Sequence, residues 1–186
     1  MSSPIISVYK AENYDSSATA QTTWNAGTVA ADQSDMTVLS VLIWNNRASS
    51  ENVSHLRECT LSIEDTGTTV TDVVENKWVK AKLGPTTTDT TIISADQQHL
   101  TYNNWLAIGG TGTSKTVLNV RPASIASNTD TQYGDLSYCT LSGDSNTGNT
   151  STNRSNYAEV TLWMKPPPNS EPGTYNVVAK ISGFYT

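Results

Sequence analysis

The chain has 186 residues, a length that suits one large domain or one core domain with a sizeable insertion. Its formal net charge is −6, and only 15% of its residues are charged. An acidic chain of this kind argues against nucleic acid and against an anionic membrane as partners, because both are bound by clusters of Lys and Arg. No apolar stretch is long enough to span a bilayer, so we expect no membrane insertion.

Strand patterns recur along the first two thirds of the chain, and helical periodicity is almost absent. The first strand is predicted at 4–9. The segment 36–44 is apolar on both faces, which is typical of a central strand covered on both sides. The segment 56–64 alternates, with Cys59, Leu61 and Ile63 facing a core. Further strands are predicted at 69–74, 77–83, 90–93, 100–108 and 115–121.

The last third of the chain holds two more alternating segments, 157–165 and 173–185, separated by Pro166-Pro-Pro-Asn-Ser-Glu-Pro172-Gly173. Proline cannot continue a strand, so we predict that the two segments form a terminal antiparallel hairpin. The residues expected on one face are Ala158, Val160, Leu162 and Met164 in the first strand and Tyr175, Val177, Ala179 and Ile181 in the second. The stretch 144–156 is almost wholly Ser, Thr, Asn, Gly and Asp, which predicts a long exposed loop.

The segment from Val160-Thr-Leu-Trp-Met-Lys-Pro to Glu171-Pro-Gly-Thr-Tyr-Asn-Val-Val-Ala-Lys-Ile resembles the closing hairpin of bacterial and phage immunoglobulin-like sandwiches. Upstream, Val38-Leu-Ser-Val-Leu-Ile-Trp-Asn-Asn and Cys59-Thr-Leu-Ser-Ile-Glu-Asp resemble their early paired strands. The resemblance covers roughly a third of the chain and bears on architecture more than on function. It implies an all-β fold, an antiparallel, immunoglobulin-like β-sandwich with residues 1–186 as a single domain. Residues 84–156 do not fit the seven-strand plan, so we expect an insertion or an extra sheet there.

The N-terminal segment lacks the basic and apolar parts of a secretory signal. Together with the hairpin and the ending Gly183-Phe-Tyr-Thr, this makes the chain similar to small phage virion proteins, such as tail, baseplate or head-associated components. The resemblance implies assembly in the host cytoplasm into a virion, with further copies of the chain and other virion proteins as partners. The surface rich in Thr and Asn leaves an extracellular location as the alternative.

No motif in the sequence carries catalytic chemistry, so we expect no enzyme and no cofactor. His55 and Cys59 could suggest a cysteine nucleophile with its base. The strand pattern places Cys59 on the core-facing side, however, where a thiol is unreactive. His55 and His99 have no further ligands at metal-binding spacing, so no metal is expected. A glycosidase would need two carboxylates facing each other across a cleft, and the candidate carboxylates lie mostly on predicted solvent faces. The sequence leaves open whether Cys59 and Cys139 pair, although a buried free cysteine is the commoner state in a protein made in the cytoplasm.

The aromatic residues supply the candidate contact site. Trp44, Trp78 and Trp163 are predicted to fill the core. Sugar-binding sandwiches use exposed Trp and Tyr beside Asn or Asp, and subunit interfaces are also enriched in Trp and Tyr. The predicted binding or interface residues are Trp24, Tyr102, Asn104 and Trp105. We therefore expect a structural component that acts through subunit contacts, and the alternative is a carbohydrate-binding or host-adhesion module that binds a host-surface glycan.

Overall fold

A computed structural model describes residues 1–10, 19–23, 25, 37–65, 78–83, 106–107, 116–117, 140–150, 152–164, 170–175 and 177–185. The described part is built from antiparallel β-strands, with a single turn of 3-10 helix at Arg154–Asn156. The strands are β1 (Ile6–Lys10), β2 (Thr37–Asn45), β3 (Arg57–Asp65), β4 (Val79–Leu83), β5 (Leu106–Ala107), β6 (Thr116–Val117), β7 (Tyr157–Met164) and β8 (Val177–Phe184). The prediction of an all-β, antiparallel fold is confirmed at this level.

One sheet has five described strands, in the order β1-β2-β7-β4-β5. Every neighbouring pair in it is antiparallel. Strand β2 pairs with β1 on one side and with β7 on the other, with Val41 opposite Val160 and Ile43 opposite Ala158. The predicted central strand is therefore confirmed.

Both faces of the second half of β2, from Val41 onward, are buried. Val41 and Ile43 belong to the main apolar cluster. Leu42 and Trp44, which point to the opposite face, form a second cluster with Tyr157 and are fully buried. Burying a side chain of this size contributes about 1.5–3 kcal/mol, so a strand that is apolar on both faces is strongly held in the middle of the sheet. The prediction that Trp44 lies in the core is confirmed.

The other sheet has three described strands, in the order β6-β3-β8. In β3, Cys59 and Leu61 are buried, as the alternation predicts. The ladder between β3 and β8 is irregular between Arg57 and Thr60. Cys59 is a free cysteine, whereas Cys139 lies outside the described residues.

The predicted terminal hairpin is wrong, because β7 belongs to the five-stranded sheet and β8 to the three-stranded one. Alternation shows which face of a strand is buried, but it does not identify the strand's neighbour. Twelve residues separate β7 from β8, more than the two to five of an ordinary hairpin loop, and this length allows the chain to pass from one sheet to the other. The last two strands of an immunoglobulin domain are neighbours in one sheet, so the strand order of this chain differs from that plan here.

The main apolar cluster draws on both sheets. Val160 and Leu162 of β7 meet Cys59 and Leu61 of β3 in it, and Ile181 of β8 packs against it. Trp78, directly before β4, is also buried there, as predicted. Of the residues 84–156, those in β5 join the five-stranded sheet and those in β6 join the three-stranded sheet. The predicted strands at 69–74 and 90–93 lie outside the described residues, and so does most of the proposed insertion.

Candidate functional site

The residues predicted from the sequence to make contacts lie outside the described part of the chain. These are Trp24, Tyr102, Asn104 and Trp105. Their role stays a prediction. The side chain of Trp163 is likewise not among those that the structure describes, although its backbone pairs with Val38 in the five-stranded sheet.

The main polar feature of the described residues is a group of side-chain amides, which we call the asparagine cluster: the buried Asn45, Asn46 and Asn156 and the half-buried Asn146. Asn45 and Asn46 directly follow the apolar residues of β2 and are almost completely inaccessible to solvent. The amide of Asn45 donates to the carbonyl oxygens of Ser54 (3.0 Å) and Leu141 (3.2 Å), and its Oδ1 accepts from the backbone N–H of Ile5 (3.0 Å). One side chain therefore joins three separate stretches of chain.

Asn46 stabilises the turn that follows β2. Its backbone is in the left-handed region, with φ of 63°, which asparagine tolerates better than most residues. Its amide donates to the carbonyl oxygens of Glu51 (2.6 Å) and Gly143 (2.8 Å). Buried polar groups must be hydrogen-bonded to avoid a large desolvation cost, so these bonds fix the turn after β2 against the segment around Gly143.

The other two members of the cluster organise the loop before β7. Asn146 accepts from the backbone N–H groups of Ala48 and Gly148, both at 2.9 Å, and donates to the carbonyl of Asn46 at 2.7 Å. Asn156, the buried last residue of the 3-10 turn, donates to the carbonyls of Ser142 and Asp144. The stretch 144–156 was predicted as a long exposed loop. It is only partly exposed, because its asparagines bond inward to the backbone.

A cation–aromatic stack lies beside this cluster. The guanidinium carbon of Arg47 is 3.8 Å from the ring centre of Tyr9 and 5.2 Å from that of Trp44. Trp44 stacks in turn on Tyr157, with ring centres 4.8 Å apart. The Nε of Arg47 donates to the carbonyl of Gly148 at 3.3 Å. Arg47 thus ties the loop before β7 to the aromatic face of the five-stranded sheet.

The turn after β2 and the loop before β7 together present what we call the polar loop surface, residues 48–52 and 144–150. Its exposed members are Ala48, Ser50, Glu51, Asn52, Asp144, Ser145, Thr147 and Asn149. Several of its side chains bond to the backbone of the loops themselves. Asn52 Oδ1 accepts from the N–H of Ser145, and the hydroxyl of Ser142 donates to Asp144 at 2.7 Å. These bonds define the shape of the surface and use part of its hydrogen-bonding capacity.

The exposed large apolar side chains are distributed very differently. Among the described residues all of them belong to the two ends of the chain: Met1, Ile5, Ile6, Val178, Phe184 and Tyr185. Phe184 is 67% exposed and Tyr185 56%. Ser2 pairs with Val53, and Phe184 pairs with Arg57, so both chain ends flank the segment 53–57. We call these six residues the chain-end surface.

Reasoning from the sequence missed both the asparagine cluster and the chain-end surface. The consecutive Asn45 and Asn46, placed directly after a fully apolar strand, were a usable signal for buried amides. The single phenylalanine of the chain, Phe184, is followed directly by Tyr185, and this aromatic pair could have indicated a contact site. His55 is half-buried, and its Nδ1 accepts a hydrogen bond from the backbone N–H of Gly143.

The reactive groups of the described residues are few. Burial raises the pKa of the Cys59 thiol to about 11, and the Sγ donates to the carbonyl of Leu56. A thiol in this state is not a nucleophile near neutral pH. Within the described ranges, no three His, Cys, Asp or Glu side chains gather closely enough to hold a metal ion. No helix in the same ranges has the length and apolar character needed to cross a membrane.

A comparison of the chain with protein-family models, with curated proteins and with solved structures finds no match in any of the three.

Proposed function

We propose that this chain is a non-enzymatic structural subunit of a virion, a component of a phage tail, baseplate or head, that acts through contacts with other subunits. It belongs to the virion after assembly in the host cytoplasm, and its partners are further copies of itself and other virion proteins. The observation that carries the proposal is the chain-end surface, which brings all the exposed large apolar side chains of the described residues to the two ends of the chain.

Such a distribution is what a subunit contact needs. Single exposed apolar residues are normal on any protein, whereas adjacent exposed aromatic side chains such as Phe184 and Tyr185 fit a surface that is covered by a partner. Aromatic residues and methionine are enriched in the cores of interfaces, and Met1, Phe184 and Tyr185 provide both kinds of side chain. The polar loop surface, by comparison, has the composition of an ordinary solvated surface.

We further propose that the two sheets face each other as a β-sandwich. The shared apolar cluster supports this, since Val160 and Leu61 belong to different sheets and to the same cluster. The turn before β8 adds support. The hydroxyl of Tyr175 donates to the carbonyl of Glu171 at 2.8 Å, and its ring lies edge-on to Trp78 with ring centres 4.8 Å apart. Sandwich domains use this hydrogen bond, from a tyrosine to the backbone a few residues upstream, to fix the chain where it passes between sheets.

The decisive experiment is mass spectrometry of virions purified from the source of the sequence, with copy number measured against a major structural protein. We expect the chain in purified particles at a stoichiometric ratio. Its absence from particles that contain all their other structural proteins would overturn the proposal. A double variant, Phe184→Ser with Tyr185→Ser, should be lost from particles, whereas the matched variant Ser145→Ala with Thr147→Ala on the polar loop surface should be retained.

The alternative function, binding of a host-surface glycan, depends on Trp24 and Trp105. A glycan array distinguishes the two functions. Binding to a defined glycan that is lost in Trp24→Ala and Trp105→Ala, together with absence from virions, would favour a carbohydrate-binding module over a structural subunit.

A further inference from the structure

Strand β8 is an edge strand of the described three-stranded sheet, because the order β6-β3-β8 gives it β3 as its neighbour on one side. It is also unusually accessible. Ile181 is half-buried, and the other described side chains of the strand are exposed. It contains no proline and only one charged residue, Lys180. An edge strand of this length and composition is a template on which another strand can add.

The two faces of β8 are distinct. Ile181 lies opposite the buried Leu61 of β3 and therefore points to the core side. Val178, Lys180, Ser182 and Phe184 alternate with it and lie on the opposite face, which we call the outer face of β8. Val178 and Phe184 are 46% and 67% exposed.

These side chains are self-complementary in one register. When β8 pairs antiparallel with the same strand of a second copy across a two-fold axis at Ile181, Val178 lies opposite the second copy's Phe184. The same apolar pair forms again on the other side of the axis. Lys180 lies opposite the second copy's Ser182, so no like charges meet. Directly opposed apolar side chains stabilise a sheet, and this register forms two such pairs on the outer face.

The neighbouring registers place less favourable pairs of side chains opposite each other. An axis at Lys180 places two ammonium groups directly opposite each other, which is destabilising. An axis at Ser182 places Lys180 opposite Phe184 and leaves Val178 beyond the last described pairs. Registers with the axis between two residues would bring core-side residues opposite outer-face residues, because side chains alternate with a period of two.

We propose that β8 pairs antiparallel with β8 of a second copy across a two-fold axis at Ile181, and that the two three-stranded sheets become one continuous sheet. The inference rests on the proposed function, in that it names a second copy as the partner in one subunit contact. The interface is isologous, so each copy contributes the same strand.

Cysteine cross-linking tests the register directly. The two variants Val178→Cys and Phe184→Cys are each made in a Cys139→Ser background, and Cys59 is left in place because it is buried. In the proposed register, Cβ atoms at 178 and 184 of different copies lie about 4.5–5.5 Å apart, close enough for a disulfide after small adjustments. Two copies of the same variant place their cysteines about 20 Å apart, six residues along the strand.

We expect disulfide-linked dimers when the two folded variants are mixed under mild oxidation, and at most one tenth as much from either variant alone. The mixed dimer keeps one native Val178–Phe184 pair, so the substitutions do not remove the contact that they report on. Circular dichroism confirms that each variant is folded. Equal cross-linking in all three samples would overturn the inference, and so would a chain that self-associates without the mixed cross-link. In the second case the proposed function would stand, because its test is presence in the virion.

A charge-swap experiment provides an independent readout by light scattering. Ser182→Lys places a second ammonium group opposite Lys180, and we expect the dimer dissociation constant to rise at least tenfold. Adding Lys180→Glu to the same chain creates an opposite-charge pair and should restore dimerisation to within about threefold of the starting value. Failure of the second substitution to restore the dimer would overturn the register.

Discussion

The Nδ1 atom of His55 accepts a hydrogen bond from the backbone N–H of Gly143 over 2.9 Å. An N–H donor requires an acceptor lone pair, which Nδ1 supplies in this hydrogen bond. Gly143 is held from a second direction, since its carbonyl accepts from the N–H of Val53 at 2.9 Å. Next to it, Leu56 and Leu141 exchange two backbone hydrogen bonds. The segment before β3 is thereby fastened to the segment that leads into the polar loop surface.

This close approach makes Gly143 intolerant of any side chain. A Cβ atom added there would lie 2.2 Å from the carbonyl oxygen of Val53 and 2.6 Å from that of Ser54, and both obstacles are backbone. We expect Gly143→Ala to lower the free energy of unfolding by about 3 kcal/mol, measured by urea denaturation, because the two segments must separate. The matched control is Gly173→Ala, whose Cβ would meet the ring of Tyr175 at 3.4 Å. It should change stability by less than about 0.5 kcal/mol, and equal losses in both variants would contradict the close approach at Gly143.

The asparagine cluster makes a second prediction. Asn45→Ala removes three hydrogen bonds, to the N–H of Ile5 and to the carbonyl oxygens of Ser54 and Leu141, of which the Leu141 oxygen keeps its bond from Leu56. At roughly 1 kcal/mol for each bond, the expected loss in the free energy of unfolding is about 3 kcal/mol. Asn52→Ala is the control, since Asn52 is exposed and accepts one bond from Ser145; it should cost about 0.5 kcal/mol or less. A small effect of Asn45→Ala would mean that water replaces the amide and that the cluster is open to solvent.

The stack of Arg47 on Tyr9 predicts a measurable coupling between the two side chains. In a double-mutant cycle with Arg47→Ala and Tyr9→Ala, we expect a coupling free energy of about 0.5–1 kcal/mol, as is typical of a cation over an aromatic ring. The control cycle pairs Tyr9→Ala with Arg57→Ala, which removes an exposed arginine of β3. Its two effects should add to within about 0.3–0.5 kcal/mol. Additivity in both cycles would rule out an energetic contribution from the stack.

The fold shows what local patterns determine. The run 36–44 predicted a strand buried on both faces, and the alternation around Cys59 predicted its buried side; the burial of Val41–Trp44 and of Cys59 and Leu61 confirms both. Each prediction needs only the period of a strand. The pairing of β8 with β3 could not be predicted in this way, because Val177–Phe184 has the same alternation whichever strand lies beside it. Neighbour choice depends on the packing of the whole chain, and the resemblance to a closing hairpin gave the wrong neighbour.

The polar residues were harder still to predict. Asparagine side chains are usually exposed, so the composition of 144–156 predicted an exposed loop, and no burial was predicted for Asn45 or Asn46. Asn45, Asn46 and Asn156 are buried where their amides bond to carbonyl groups of segments that lie outside the strands. The side-chain amides form hydrogen bonds with backbone groups that would be paired with a neighbouring strand in a regular sheet. Composition gives no information on which backbone groups lack a partner, and only the three-dimensional arrangement supplies it. The chain-end surface was missed for a related reason, since exposure of Phe184 depends on the edge position of β8.

The buried thiol of Cys59 makes a prediction that depends on pH. Its pKa is raised to about 11 because burial disfavours the thiolate, while an unfolded cysteine titrates near 8.5. The folded state therefore binds the proton more tightly than the unfolded state does. The resulting stability is fully present below about pH 8.5 and is lost as pH rises towards 11. We expect the urea midpoint of a Cys139→Ser chain to fall over this range, and to fall less when Cys59→Ala is added.

The same thiol should be unreactive in the folded protein. At pH 8 about one molecule in a thousand carries a thiolate at Cys59, and the side chain is fully buried. Iodoacetamide should therefore label Cys59 of the Cys139→Ser chain at least a hundredfold more slowly in buffer than in 8 M urea, as followed by mass spectrometry. Rapid labelling in buffer, with the circular dichroism spectrum unchanged, would show that β3 opens locally and that Cys59 is not enclosed by the core.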